Sequence, residues 1–110
     1  MGILNWIRRI RPPWRSWSVQ TTVARMTDVA VRLRRCRAVL VGTAENPKWL
    51  VFDCPCAQPH RVMVPLNRRT WPAWTVLAAV PLSLTPSVDE RRGNKRCHYV
   101  IRSGRVHWVR

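Results

Sequence analysis

The segment FDCPCAQPH, residues 52–60, restricts the fold more than any other part of the sequence. It places Cys54 and Cys56 on either side of a proline, adds Pro59 and ends at His60. Two prolines so close together prevent a helix from running through the segment. Because β-branched and aromatic runs lie on both sides, the sequence predicts a turn between two strands. The two thiols could form a metal knuckle or a redox pair, or they could simply be buried.

A zinc site is favoured by a second, remote pair of potential ligands near the end of the chain. Structural zinc usually takes four sulfur or imidazole ligands. A set of three cysteines with either His60 or His98 would join the central turn to the last hairpin. A redox pair is disfavoured because its usual spacing is Cys-x-x-Cys at the start of a helix. The alternative is buried free cysteines, since Cys behaves as a small hydrophobe. The candidate ligands are Cys54, Cys56, His60, Cys97 and His98.

The charge of the chain indicates an acidic partner. Its 110 residues suit one domain, and 20 Lys and Arg against 5 Asp and Glu give a net charge of +15. Such a charge attracts nucleic acid, an anionic membrane surface or an acidic protein. The excess of Arg suits a recognition surface, although a GC-rich genome would favour the same residues. A hydrophobic fraction of 46% argues against a disordered chain.

The sequence predicts a cytoplasmic protein. The opening MGILNWIRRIRPP has neither the continuous apolar stretch nor the small-residue cleavage site of a signal peptide. The longest apolar run, residues 74–82, is too short to cross a membrane. Cysteines in a reducing compartment are more often thiols or metal ligands than disulfides.

Residues 1–36 predict a basic helical extension. Apolar residues interspersed with arginines in 3–10 predict a short amphipathic helix that Pro12 and Pro13 end. A second helix is predicted over residues 18–36, with Cys36 packed at its end. Its apolar positions recur at helical spacing; they are Val19, Val23, Met26, Ala30 and Leu33.

Residues 37–110 predict a zinc-stabilised β domain. The polar segment 85–96 reads as a loop, and a Ser-Gly pair predicts the turn of a closing hairpin. The fold class is therefore a small β-rich (α+β) domain, with a mostly antiparallel sheet, a Cys-Pro-Cys zinc knuckle and an N-terminal helical extension. The predicted strands are 37–43, 48–52, 61–66, 74–84, 98–102 and 105–109.

The order of these features resembles a known family. From residue 38 the chain reads AVLVG, VFDCPCAQPH, VMVPL, LSLTPSV and CHYVIRSGRVHW. This resembles a small bacterial family described as a domain of unknown function (six-five-two-seven), over about two thirds of the chain. The resemblance implies a zinc-stabilised peptidase that processes ubiquitin-like proteins. It also implies partners: a ubiquitin-like protein or its E1-like and E2-like machinery.

The resemblance also bears on the metal ligands. Cys54 and Cys56 match the first cysteines of the family knuckle, whereas Gln58 and Lys95 stand where the family has further cysteines. The resemblance therefore implies that the metal site is either weakened or moved. A moved site would use two replacement ligands, His60 and Cys97.

The resemblance further implies a catalytic serine and histidine. Ser87 lies in the stretch that matches the family's Ser-Leu-x-Pro-Ser, and His98 lies in its closing strands. A serine nucleophile needs a base within hydrogen-bond reach and a third group to orient that base. Ser87 and His98 would meet if residues 88–96 fold back, and Asp89 or Glu90 could then orient the imidazole. The sequence does not decide between Ser87 and the nearby Ser83 as the residue closer to a base.

Two functions without chemistry compete with this peptidase. Tryptophans and arginines interleave in PPWRSW and RRTWPAW, and such surfaces can stack bases and neutralise phosphates. The main alternative is therefore a non-catalytic, zinc-stabilised binding module for nucleic acid or for a partner in a conjugation pathway. A third possibility is an adaptor of a conjugation complex that is anchored through residues 1–36.

Overall fold

The computed structural model describes residues 16–69 and 71–109 as two four-stranded sheets. Strands that are consecutive in sequence are neighbours in each sheet, in the orders β1-β2-β3-β4 and β5-β6-β7-β8. The first sheet contains β1 (Ser18–Val23), β2 (Arg37–Gly42), β3 (Pro47–Asp53) and β4 (Arg61–Pro65). The second contains β5 (Thr75–Ala79), β6 (Leu82–Arg92), β7 (Lys95–Arg102) and β8 (Arg105–Trp108).

The first sheet is mixed. β2, β3 and β4 are antiparallel, whereas β1 runs parallel to β2. A parallel pair needs a crossover, and residues 24–36 supply it with a single 3₁₀ turn at Met26–Asp28. β3 is buried at Leu50, Val51 and Phe52, as expected of a central strand that is covered on both faces.

The predicted N-terminal helical extension is wrong for residues 16–36. Residues 18–23, SVQTTV, form β1 in place of a helix, and the 3₁₀ turn that follows has no buried residue. Four of these six residues have β-branched side chains that suit a strand, and pairing with β2 outweighs the helical spacing of the apolar residues. The first predicted helix, in residues 3–10, lies outside the described residues.

The second sheet is antiparallel throughout and differs from the prediction in two places. The expected strand 74–84 is divided by a turn at Val80 and Pro81, and the expected loop 85–96 belongs mostly to β6 and β7. Polar and charged residues can occupy these strands because one face of an antiparallel sheet can face water.

The closing hairpin is confirmed. β7 and β8 are joined at Ser103 and Gly104, whose φ angles of 50° and 78° are those of a tight hairpin turn. Such angles favour glycine at position 104 because a side chain there would be strained.

One hydrophobic core lies between the two sheets. Aromatic rings meet edge to face through it, with centroids 5.6 Å apart for Trp17 and Phe52 and 6.5 Å apart for Phe52 and Tyr99. The backbone N–H of Trp17 donates to the carbonyl of Gly104, and its own carbonyl accepts from Leu82. The residue before β1 therefore links the first sheet to the second. In the described part of the chain, no helix is long and apolar enough to cross a membrane.

Candidate functional site

The two candidate centres lie on opposite faces of the second sheet. Successive side chains of a strand point to opposite faces, and Cys97 and His98 are consecutive residues of β7. Cys97, like Tyr99 and Ile101, faces the core, whereas His98 and Arg102 face outward. His98 is therefore not placed to join Cys97 in one metal site.

Three of the predicted ligands meet on the inner face. The sulfur atoms of Cys54, Cys56 and Cys97 lie within 4.8 Å of one another. Cys54 and Cys56 belong to the turn between β3 and β4, which closes when the N–H of Cys54 donates to the carbonyl of His60, at 2.8 Å. Cys97 comes from β7 of the other sheet, so the cluster joins the two sheets. Cys36 is also buried in the hydrophobic core but is not one of the three clustered sulfurs.

His60 lies at the edge of the cluster. Its Nδ1 is 3.6 Å from the sulfur of Cys56 and 3.3 Å from the carbonyl oxygen of Gln58. Its Nε2 is 2.7 Å from Oε2 of Glu90, on the inner face of β6. Burial lowers the pKa of His60, but the bond with Glu90 and the contacts with Gln58 and Cys56 outweigh it and leave the pKa raised. His60 is not among the residues whose ligand atoms all lie within 4.8 Å of one another.

Burial is the largest single influence on the pKa of each thiol in this cluster. It raises the pKa of Cys54 to about 12 and also raises that of Cys97. Burial acts in the same direction on Cys56, but hydrogen bonds from Cys54, Gln58 and other neighbours outweigh it and lower its pKa. A metal ion that replaced the thiol protons would stabilise the buried thiolates.

The hydroxyl of Tyr99 is also buried beside the cluster. It has no hydrogen-bond partner within the part of the chain that the structure describes. Burial raises the pKa of Tyr99, and the neighbouring thiol of Cys54 raises it further. A thiolate at Cys54 would give this hydroxyl an acceptor, and the sequence offered no signal of this contact.

The outer face brings Ser87 and His98 together. Ser87 Oγ and His98 Nε2 are 3.0 Å apart. Pairing between β6 and β7 shifts between Leu84 and Val88, which oppose Ile101 and Tyr99, so Ser87 lies in a bulge of β6. Bulges re-aim side chains and are common next to active sites. The two residues meet through strand pairing and not through the folded-back loop that the sequence suggested.

Neither predicted acid orients the imidazole. Asp89 is directly opposite His98 in the pairing, but its two carboxylate oxygens accept from Arg96 at 2.9 and 2.7 Å. Glu90 faces inward and bonds His60. The bond with Arg96 lowers the pKa of Asp89, and the charges of Arg96, His98 and Arg91 contribute.

The other candidate side chains are accounted for elsewhere. The hydroxyl of Ser83 accepts the N–H of Ser103 at 2.8 Å, which separates it from His98. His107 is exposed on β8. Trp74, which the sequence did not single out, donates its indole N–H to the carbonyl of Ser87 at 3.3 Å and holds the bulge.

One cavity lies beside the inner cluster. It has a volume of about 750 Å³ and lies beside the knuckle, with Trp17, Arg35, Cys54, Cys56 and His60 among its lining residues. Two further cavities lie along the first sheet. Ser87 and His98 are half-buried and line none of these three cavities.

Comparison with known proteins identifies the chemistry. The family model described as "Bacterial ubiquitination-like system serine protease (BubE)" matches residues 25–109, most of the chain. Searches of curated proteins and of solved structures gave no match. The predicted serine peptidase of a bacterial ubiquitin-like system is confirmed at this level. The chain belongs to the BubE family of serine proteases of a bacterial ubiquitination-like system.

Proposed function

We propose that Ser87 is the nucleophile of this serine protease and that His98 is its general base. The observation that carries this assignment is the distance of 3.0 Å between Ser87 Oγ and His98 Nε2. A base must lie within hydrogen-bond reach of the proton that it removes. In the described residues, Ser83, the other candidate of the same strand, is bonded to the backbone of Ser103 instead.

The chemistry follows the usual course of acyl transfer. Unprotonated Nε2 of His98 accepts the proton of Ser87 as the hydroxyl attacks a carbonyl carbon, and it then returns the proton to the leaving group. Water releases the acyl group in a second round with the same base. The bond cleaved would join the C-terminus of a ubiquitin-like protein to a short extension or to a conjugated target. The enzyme would thus process or deconjugate that protein in the cytoplasm, beside its E1-like and E2-like partners.

We also propose that the inner cluster binds structural zinc through Cys54, Cys56, Cys97 and His60. Zinc–sulfur bonds of about 2.3 Å and zinc–nitrogen bonds of about 2.0 Å in a tetrahedron separate the ligand atoms by about 3.5 to 3.8 Å. The distance of 3.6 Å between His60 Nδ1 and Cys56 Sγ fits this geometry. Because His60 is not in the group whose ligand atoms all lie within 4.8 Å of one another, its imidazole would have to move for Nδ1 to reach the other two sulfurs.

The proposed metal would have a structural role. Four protein ligands leave no open position for a substrate or an activating water. Cys97 faces the core and His98 faces outward, so the ion would stiffen the strand that presents the base. Glu90 would hold His60 in the tautomer whose Nδ1 is free, as carboxylates commonly do for metal-binding histidines.

The decisive experiment combines covalent labelling with native mass spectrometry. The full chain is produced with zinc, treated with a fluorophosphonate and weighed intact. We expect one zinc ion and one adduct, mapped to Ser87. Ser87→Ala should keep the zinc and lose the adduct, whereas the matched control Ser83→Ala should keep both. An adduct that persists in Ser87→Ala would overturn the assignment.

The structure gives little support to the alternative of nucleic-acid binding. Trp17 of PPWRSW is buried in the core, and Trp74 of RRTWPAW packs against it, so neither is free to stack on bases. Trp71 is 94% exposed and is the remaining described candidate of these two segments. The non-catalytic module is set aside because the chain belongs to a protease family.

A further inference from the structure

The position of Ser87 and His98 on the outer face of the second sheet raises the question of how a substrate is held. Neither residue lines any of the three cavities described above. Binding energy can also come from parts of a substrate away from the reacting atoms. The surface around the pair is therefore where selectivity should lie.

That surface is defined by the register of three strands. Asp89 opposes His98, Arg91 opposes Arg96, and Arg102 opposes Arg105. Residues between them, such as Tyr99, Ile101 and Val106, pack on the core, which assigns the others to the outer face. We call this set the arginine face: Arg91, Arg96, Arg102 and Arg105.

The arginine face carries a large excess of positive charge. All four guanidinium groups are exposed, and Asp89 is the one acid among the described outward residues of β6, β7 and β8. Asp89 pairs with Arg96. Within residues 16–69 and 71–109, no carboxylate forms an ion pair with Arg91, Arg102 or Arg105. Three arginines are thus available to a ligand.

Two arginines of this face flank His98 along β7. Arg96 is two residues from His98 on one side and Arg102 is four residues away on the other. With a rise of about 3.3 Å per residue, these positions are about 7 and 13 Å from the base. A peptide extended along β7 past Ser87 would place a side chain about four residues from its scissile bond over Arg102, whose guanidinium group can bind a carboxylate in a bidentate way.

We propose that the arginine face binds an acidic, extended segment of the protein substrate and so sets its specificity. This rests on the proposed roles of Ser87 and His98. Charge argues against two other occupants: a second copy also carries +15, and residues 1–15 contain four arginines and no acid. Complementary charges of this kind chiefly give specificity and a fast association rate.

The test uses full-length protein carrying Ser87→Ala, so that cleavage cannot disturb binding. Fluorescein-labelled hexaglutamate is titrated at low salt against this protein and against two charge-matched variants. Arg102→Glu/Arg105→Glu alters the arginine face. Arg34→Glu/Arg35→Glu makes the same change of charge at exposed positions of the crossover between β1 and β2.

We expect the first pair of substitutions to weaken peptide binding by about tenfold and the control pair by less than about twofold. Equal weakening would show a diffuse charge effect and would overturn the proposal. A labelled oligothymidylate of equal charge is titrated in the same way. If the first variant weakens its binding more than it weakens peptide binding, the face binds nucleic acid and the proposal is overturned.

A separate readout keeps this inference apart from the catalytic assignment. In protein that retains Ser87, the Arg102→Glu/Arg105→Glu variant should react with a neutral fluorophosphonate at a rate within about twofold of that of the unmodified protein. No reaction of the unmodified protein would contradict the roles of Ser87 and His98. If only the variant failed to react, the substitutions would have damaged the arrangement of Ser87 and His98. That result would overturn the claim that these arginines act only on binding.

Discussion

The two faces of the second sheet use the same strands for different chemistry. On the inner face, Cys97 and Glu90 meet the knuckle, where burial and soft sulfur ligands suit a metal ion. On the outer face, their neighbours His98 and Asp89 lie at the surface beside Ser87 and Arg96. The contrast teaches that the alternation of a strand can keep a cysteine cluster and a serine–histidine pair one residue apart on opposite faces.

The two acids show the same contrast in one pair of residues. Asp89 and Glu90 are adjacent in β6, and both looked able to orient His98. Because successive side chains point to opposite faces, Glu90 contacts His60 on the inner face and Asp89 pairs with Arg96 on the outer face. A carboxylate's role therefore depends on the face of the sheet it occupies.

Removing an inner sulfur should have the largest effect. Cys97→Ser deletes the only ligand that the second sheet gives to the described sulfur cluster, so we expect metal binding to be lost and the free energy of unfolding to fall by more than about 4 kcal/mol. The matched control is Cys36→Ser, a buried cysteine outside the cluster, for which about 1 kcal/mol is expected. Denaturant unfolding with metal analysis measures both. Equal losses would mean that the cluster is ordinary packing.

Removing the outer base should abolish activity and spare the inner face. We expect His98→Gln to lower the rate of peptide-bond cleavage by about 10³-fold or more, since the serine loses its base. Zinc content and melting temperature should stay within error of the unmodified protein. His107→Gln, an exposed histidine of the next strand, is the control and should cleave normally. Loss of zinc in His98→Gln would show that the two faces are not independent.

Changing the inner acid should have an intermediate effect. Glu90→Gln keeps the shape of the side chain but weakens its hold on His60, so we expect zinc affinity to fall by about 10-fold to 100-fold. Competition with a chromophoric chelator measures this affinity. Asp89→Asn, the same change one residue away on the other face, should leave it unaltered. A similar loss in both variants would contradict the separate assignment of the two acids.

Changing the outer acid should have the smallest effect, and it should depend on pH. Arg96 lowers the pKa of Asp89 below its ordinary value of 3.8. The pair therefore stabilises the fold above that value, and its contribution is lost as the pH falls through the lowered pKa. Asp89→Asn should reduce stability slightly at pH 7 and leave it unchanged in acid, where the native carboxyl is protonated. Thermal melts across this range would test the sign, and a deficit that persisted in acid would contradict it.

Much of the first sheet and the closing hairpin was predictable from local signals. β-branched runs separated by turn residues indicated β2, β3 and β4, and a Ser-Gly pair indicated the last turn. The segment 18–23 was not predictable in this way, because its apolar residues also fit a helical period and only pairing with β2 decides the outcome. The charged run 85–96 reads as a loop, yet most of it forms strands, because local composition does not show that one face of these strands is solvated.

The sequence by itself determined the chemistry that the protein can perform. It supplied the Cys-Pro-Cys turn, a remote cysteine beside a histidine, a Pro-Ser stretch and a large positive charge, because residue types and spacing limit which ligands and nucleophiles exist. Only the tertiary structure decided which of these groups meet. Sheet packing brought Cys97 to the knuckle, strand pairing and a bulge brought Ser87 to His98, and the pleat assigned each acid its partner. Contacts between residues far apart in sequence depend on register, and register is set by the packing of the whole core.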